Sequence, residues 1–184
     1  MCRSVLVSVA VAALAAVSSA LAAGNPANRL VLTQQDVGNG YVYNAPFSHP
    51  DTLAELSTGA SAAVKRELAK KWLVGTARGF NSVTATRSLV STADIFRTPE
   101  LDLIVHSFER RYLSLSRGRL LRVPVGAPGT RRFLIRGRMQ SFVTFIYFWQ
   151  HGRNIMTVWQ IGTQAALRPG ELFALARRQD AKAR

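Results

Sequence analysis

Cysteine occurs once in the 184 residues, at Cys2, so no internal disulfide can form and no cluster of thiolates can hold a metal. Carboxylates are scarce as well: ten Asp and Glu stand against 24 Lys and Arg, a formal charge of +14. Histidine appears at positions 49, 106 and 151 only, so no two lie one helical turn apart as a local zinc motif requires. Asp102 and His106 do share a helix face at i, i+4, the pattern of a solvent-facing pair. Gly38-Asn39-Gly40 lacks the third glycine and the βαβ setting of a dinucleotide site, and no phosphate loop of the Walker type is present. Gly59-Ala60-Ser61-Ala62-Ala63 departs from a nucleophile elbow at its last position, which leaves Ser61 as a helix-start residue. No pair of carboxylates is marked out for glycoside chemistry. The expectation is a protein with no cofactor, no metal and no enzymatic activity.

What is present begins with an export signal. Arg3 supplies a positive start, Val5 to Val17 carries no charge, and Ala20-Leu21-Ala22 has the small-x-small pattern that signal peptidase cuts. Residues 1–22 read as a signal peptide; the plain alternative is an uncleaved anchor, because Val5 to Ala23 is 19 weakly polar residues. Cys2 precedes the apolar run and so cannot be a lipoprotein's acylated cysteine. Residues 23–184 are then the mature chain, expected to form a single α+β domain located outside the cytoplasm or at the bacterial cell envelope. With no disulfide to staple it, that domain must be held by packing.

Turn signals and periodicity divide the mature chain. "RLVLT" (Arg29 to Thr33) and "YVYNAPF" (Tyr41 to Phe47) read as extended pieces around "DVGNG", followed by a helix from Ser61 to Leu73 stopped by Gly75. Two strands follow at Arg78 to Thr86 and Ser88 to Phe96. Thr98, Pro99 and Glu100 open the clearest helix, whose apolar residues Leu101, Ile104, Val105, Phe108, Tyr112 and Leu115 recur at helical spacing. Strands are predicted at Leu120 to Val125, Arg131 to Arg138, Gln140 to Gln150 and Asn154 to Gly162, and a last helix opens at Pro169. "HGRN" closes a hairpin, as a two-residue or a four-residue turn, that sets Trp149 opposite Met156, Tyr147 opposite Val158 and Ile146 opposite Trp159. Both faces of that hairpin are apolar, which predicts a central place in the sheet with a cover on each side. The expected architecture is an antiparallel sheet of about six strands with two or three helices packed on it.

The order of "DVGNGY", "ARGF", "STADIFRTPELD", "VPVGAPG", "FWQHGRNIMTVW" and "LFALARRQD" resembles a group of exported single-domain proteins of high-GC actinobacteria and their relatives. The resemblance implies export and an antiparallel sheet with helices, and brings no established activity or catalytic residue. A layered fold like the PsbP or Mog1 type, an α-β-α sandwich, is compatible with it by analogy.

The 61 residues between Glu109 and Glu171 hold no carboxylate and eleven arginines. Strand alternation places Arg132, Arg136 and Arg138 on one side of their strand, and Arg122 stands opposite Leu121 and Val123 in the strand before. Guanidinium forks bind oxyanions in bidentate fashion, so these four are the candidate anion-binding residues. Export makes an anionic envelope polymer or a lipid headgroup a better partner than nucleic acid. The leading expectation is a noncatalytic exported binding or structural protein with this arginine surface, the plain alternative being a merely solvated surface. A different class of function, a carrier of an apolar small molecule or lipid, would use Phe145, Tyr147, Trp149 and Trp159 as the lining of an aromatic pocket.

Overall fold

The computed structural model describes residues 24–184. Seven strands, β1 (Tyr41–Asp51), β2 (Trp72–Ser82), β3 (Arg87–Phe96), β4 (Arg119–Leu121), β5 (Thr130–Met139), β6 (Phe142–His151) and β7 (Asn154–Gly162), form one antiparallel sheet in the order β1-β2-β3-β7-β6-β5-β4. Two meanders therefore meet where β3 pairs with β7. The α+β class holds, with seven strands rather than about six and five helices rather than two or three. Two of the helices are short pieces that periodicity cannot reveal: α1 (Gln34–Val37) and α2 (Leu53–Ser57), each closed by a capping box, Thr33 with Asp36 and Thr52 with Glu55. The others are α3 (Ala62–Lys71), α4 (Asp102–Ser116) and α5 (Pro169–Ala181). The leader expected at 1–22 lies outside the described residues.

The β6–β7 hairpin has the register its sequence predicts: Tyr147 faces Val158, Trp149 faces Met156 and Ile146 faces Trp159. Gly152 and Arg153 form the two-residue turn, Gly152 alone of the two at positive φ (+55°). One face of the hairpin, with Tyr147, Trp149, Met156 and Val158, lies under α5 and the segment Ala27 to Leu32. The opposite face, with Ile146, Phe148 and Ile155, lies under α3 and α4. Two apolar cores thus sandwich the sheet. Phe133 and Phe148 stack at 4.3 Å in one, and Tyr147 and Trp149 stack at 5.2 Å in the other. The Trp149 indole donates to Asp180 Oδ1 (3.0 Å), a carboxylate that also meets His151 Nδ1 at 2.9 Å, so the one polar atom of the largest buried side chain is satisfied.

Three local expectations are corrected. Gly75 does not stop a helix: α3 ends at Lys71, Trp72 is already extended as its C-cap, and Gly75 sits inside β2. Thr98 does not cap α4, which begins at Asp102 without a side-chain cap. The turn before it is held by tertiary bonds instead, Gln150 Nε2 and Arg131 Nη1 both donating to the Pro99 carbonyl (2.7 and 3.1 Å) and Lys71 Nζ to that of Glu100 (2.6 Å). Finally, "RLVLT" is no strand. Leu30, Val31 and Leu32 are all buried as a plug on one face of the sheet, with the Leu32 N–H bonded to Ser91 Oγ (3.1 Å).

Candidate functional site

Arg117-Gly118-Arg119 and Arg136-Gly137-Arg138 are separate in sequence and adjacent in space. Helix α4 ends in Arg117, which takes a left-handed conformation (φ 45°, ψ 43°), and Gly118 N–H returns to the Leu113 carbonyl (3.0 Å). The chain then enters β4, which pairs with β5 so that Arg119 lies directly opposite Arg136. The glycines permit this fit. A Cβ on Gly137 would stand 2.3 Å from the Ser116 carbonyl oxygen, and one on Gly118 would stand 2.6 Å from both Ile135 Cγ2 and Ser116 Oγ. The end of α4 is therefore pressed onto β5 by backbone contact, and the four flanking arginines are delivered to one place.

That place is a groove of about 340 Å³ lined by Arg117, Arg119, Arg136 and Arg138 with Val143 and Gln164. No carboxylate lines it. Among the described residues, none of the four guanidinium groups makes a hydrogen bond or an ion pair; the only contact is Arg136 over the Phe145 ring at 6.0 Å. Like charges placed directly opposite on paired strands repel. An oxyanion entering the groove would turn that repulsion into charge-assisted hydrogen bonds.

A second polar constellation lies at the other end of the sheet. Asp51, Gly75 and Asp94 form one cross-strand row through β1, β2 and β3, so both carboxylates are on the same face with a glycine between them. A Cβ at position 75 would be 2.1 Å from Asp94 Oδ1 and 3.2 Å from Asp51 Cβ, so only glycine lets the two acids lean together. Trp72 Nε1 donates to Asp94 Oδ1 at 2.9 Å. Burial, reinforced by the neighbouring Asp51 carboxylate, pushes the Asp94 carboxyl well above the usual range. Burial also lifts Asp51 to about 6; Glu55 adds to this, while His49 and Arg111 oppose it. Beside the pair is a cleft of about 150 Å³, floored by Asp51, Thr92, Asp94 and Trp159 and roofed by Arg111 and Tyr112 of α4. His49, Asp51 and Glu55 bring their ligand atoms within 4.8 Å of one another, a spacing a metal ion could bridge. Glu55 Oε2, however, is spent on the Thr52 cap, at 2.9 Å from its N–H and 2.8 Å from its hydroxyl.

Comparison with known proteins adds little at this point. No family model matches the chain, and no curated protein matches it. Among solved structures, the extracellular domain of PknH from Mycobacterium tuberculosis aligns with a TM-score of 0.43 and 11% identity, over 85% of this chain and 95% of that one. A likeness of that size assigns neither fold family nor function.

The predicted site residues divide clearly. Arg136 and Arg138 stand in the arginine groove. Arg122 does not: it is exposed, just past the end of β4. Arg132 does not either, because a bulge between Thr130 and Phe133, with Arg131 at φ 39°, turns it toward the loop, where its guanidinium donates to the Ala127 carbonyl. Leu134, on the predicted arginine side of β5, points into the core, so only the outer end of that row is cationic. Arg117 and Arg119 take the missing places, and the repeated Arg-Gly-Arg spacing was their signal. The four aromatics named for a pocket are not brought together. Phe145 packs on the same side as Tyr147 and Trp149. Tyr147 and Trp149 are fully buried and packed, Trp149 against the bare Gly129 backbone, while Trp159 lies on the other face of the sheet. Asp102 pairs with Arg131 (2.7 Å), and His106 on its helix is exposed.

Proposed function

We propose that this chain is an exported, noncatalytic binding domain of the bacterial cell envelope whose arginine groove holds the anionic groups of an envelope polymer or of lipid headgroups. The observation that carries this reading is the convergence of Arg117, Arg119, Arg136 and Arg138 on one groove without a carboxylate among its lining residues. A solvated basic surface would scatter its cations and pair many of them. Some cations elsewhere are paired, Arg87 with Glu171 (2.6 Å), Arg131 with Asp102 (2.7 Å) and Lys71 with Glu67 (3.0 Å), while others, such as Arg29 and Arg66, are exposed. The groove sets four guanidinium groups side by side with no hydrogen-bond or ion-pair partner among the described residues. Export rests on the charge-free run at Val5 to Val17 and the Ala20-Leu21-Ala22 site. Among the described residues no helix is long and apolar enough to cross a membrane.

The test is binding to phosphatidylglycerol vesicles and to polyphosphate, with phosphatidylcholine vesicles as the uncharged comparison. Affinity for the anionic probes is expected to fall linearly in log K against log salt. Replacing Arg119, Arg136 and Arg138 together with Gln should weaken binding by about tenfold or more and flatten the slope by roughly one for each lost contact. An unchanged slope in the triple variant would return the arginines to a solvating role.

A further inference from the structure

In the cleft over Asp51 and Asp94 two acids face a space large enough for a ligand, Asp51 with only the His49 imidazole at 4.0 Å and Asp94 with no ion pair among the described residues. Asp94 is 4% exposed, yet its carboxylate forms no ion pair and its Oδ2 accepts from no donor among the described residues. The Arg111 guanidinium, which also lines the cleft, donates to the carbonyls of Glu55 and Leu56 (3.1 and 3.0 Å) rather than to either acid. A buried carboxyl group is normally paired or fully hydrogen-bonded, and its charged form is costly until a cation compensates it. Here the missing partner faces open volume rather than packed side chains. The same cleft is walled by Trp159 and Tyr112, which meet edge to face at 5.0 Å. Aromatic rings beside carboxylates are the surroundings that an alkylated ammonium group prefers, since ring faces and carboxylates both attract it and its methyl groups need no hydrogen bonds. The volume, about 150 Å³, equals that of about five waters, enough for an ammonium bearing a few methyl groups.

We propose that the Asp51–Asp94 cleft is a binding site for a small organic ammonium group, with Asp94 Oδ2 and Asp51 as its counter-ions and Trp159 and Tyr112 as its aromatic wall. This site is independent of the arginine groove at the other end of the sheet. A divalent metal fits less well. It would want the oxygens of Glu55, one of which is spent on the Thr52 cap, and it would gain nothing from the rings.

Choline is the probe, and its uncharged isostere 3,3-dimethylbutan-1-ol is the control. Both are titrated into the full chain, with sodium chloride held equal, while the indole N–H signals of Trp72, bonded to Asp94, and Trp159, bonded to Thr157 Oγ1 (2.9 Å), are followed by NMR. The expected result is a saturable shift of both signals with choline, at least about tenfold weaker binding of the alcohol, and about tenfold or greater loss of choline affinity in Asp94→Asn. Asp51→Asn supplies the same comparison if Asp94→Asn fails to fold. Equal binding of the alcohol, no saturable shift with choline, or choline affinity unchanged in the variant would overturn the proposal. So would saturable shifts with calcium or zinc chloride and none with choline, which would make the cleft a metal site.

Discussion

Asp51→Asn is expected to raise the melting temperature at pH 7.5 by several degrees, and the gain should shrink to nothing near pH 4. An acid whose folded-state pKa is raised binds its proton more tightly in the native chain than in the unfolded one. Such a group therefore costs stability as pH rises from the unfolded value, near 3.8, through about 6, and the cost is complete above that. For Asp51 it is on the order of 3 kcal/mol, and in a domain of this size each kcal/mol moves the midpoint by about 2–4 °C. Asn removes the charge, the attraction of Asp51 to His49 and Arg111 and its repulsion by Glu55, and it relieves the neighbouring Asp94. Asp94→Asn should act in the same direction, since the Asn side-chain oxygen can still accept from Trp72. Melting curves of both variants between pH 4 and 8 check this. A fall in stability, or a gain that ignores pH, would contradict the placement of the pair. Stability is commonly given up at working sites, and the acid pair over Gly75 accords with the ammonium site proposed for this cleft.

Trp149→Ala is expected to cost about 3–5 kcal/mol in urea unfolding, a large fraction of the total stability of an ordinary domain. The ring is fully buried, stacks on Tyr147, donates to Asp180 and fills the space beside Gly129. Its removal opens a void and takes one donor from the buried Asp180 carboxylate, which keeps His151 and Arg184. Trp159→Ala, from a half-buried ring on the opposite face, should cost only about 1–2 kcal/mol. Had the hairpin aromatics lined a ligand pocket, the Trp149 variant would have kept its fold and lost a ligand. Near-equal costs for the two variants would count against the packed hairpin.

The hairpin was legible in the sequence because both of its faces are apolar and its turn is short, so pattern and register had one consistent solution. The periodic stripe of α4 was legible for the same reason, although Leu115 at its end is exposed rather than buried. Boundaries were less legible where long-range bonds replace local signals. Thr98 reads as a cap, but the carbonyls of Pro99 and Glu100 are claimed by Gln150, Arg131 and Lys71. Gly75 reads as a helix stop because its real reason, the approach of Asp94 toward Asp51, depends on two strands meeting across β2. The acid pair, 43 positions apart, had no local signature at all. His49 and Asp51, two residues apart on a strand, were the nearest local hint of that cluster. Both Arg-Gly-Arg segments were visible, but their convergence required the β4–β5 register, and a bulge at Arg131 removed Arg132 from the set.

Residue-resolved mapping of anion binding tests the arginine groove most directly. Polyphosphate titrated into isotope-labelled protein at low salt should shift the backbone and guanidinium N–H signals of Arg117, Arg119, Arg136 and Arg138 first and most, together with Val143 and Gln164, and these shifts should saturate together. The exposed arginines outside the groove, such as Arg29, Arg66, Arg122 and Arg177, should move late and without saturation. Shifts spread evenly over all the exposed arginines, or confined to residues outside 117–119 and 136–138, would contradict a dedicated anion site.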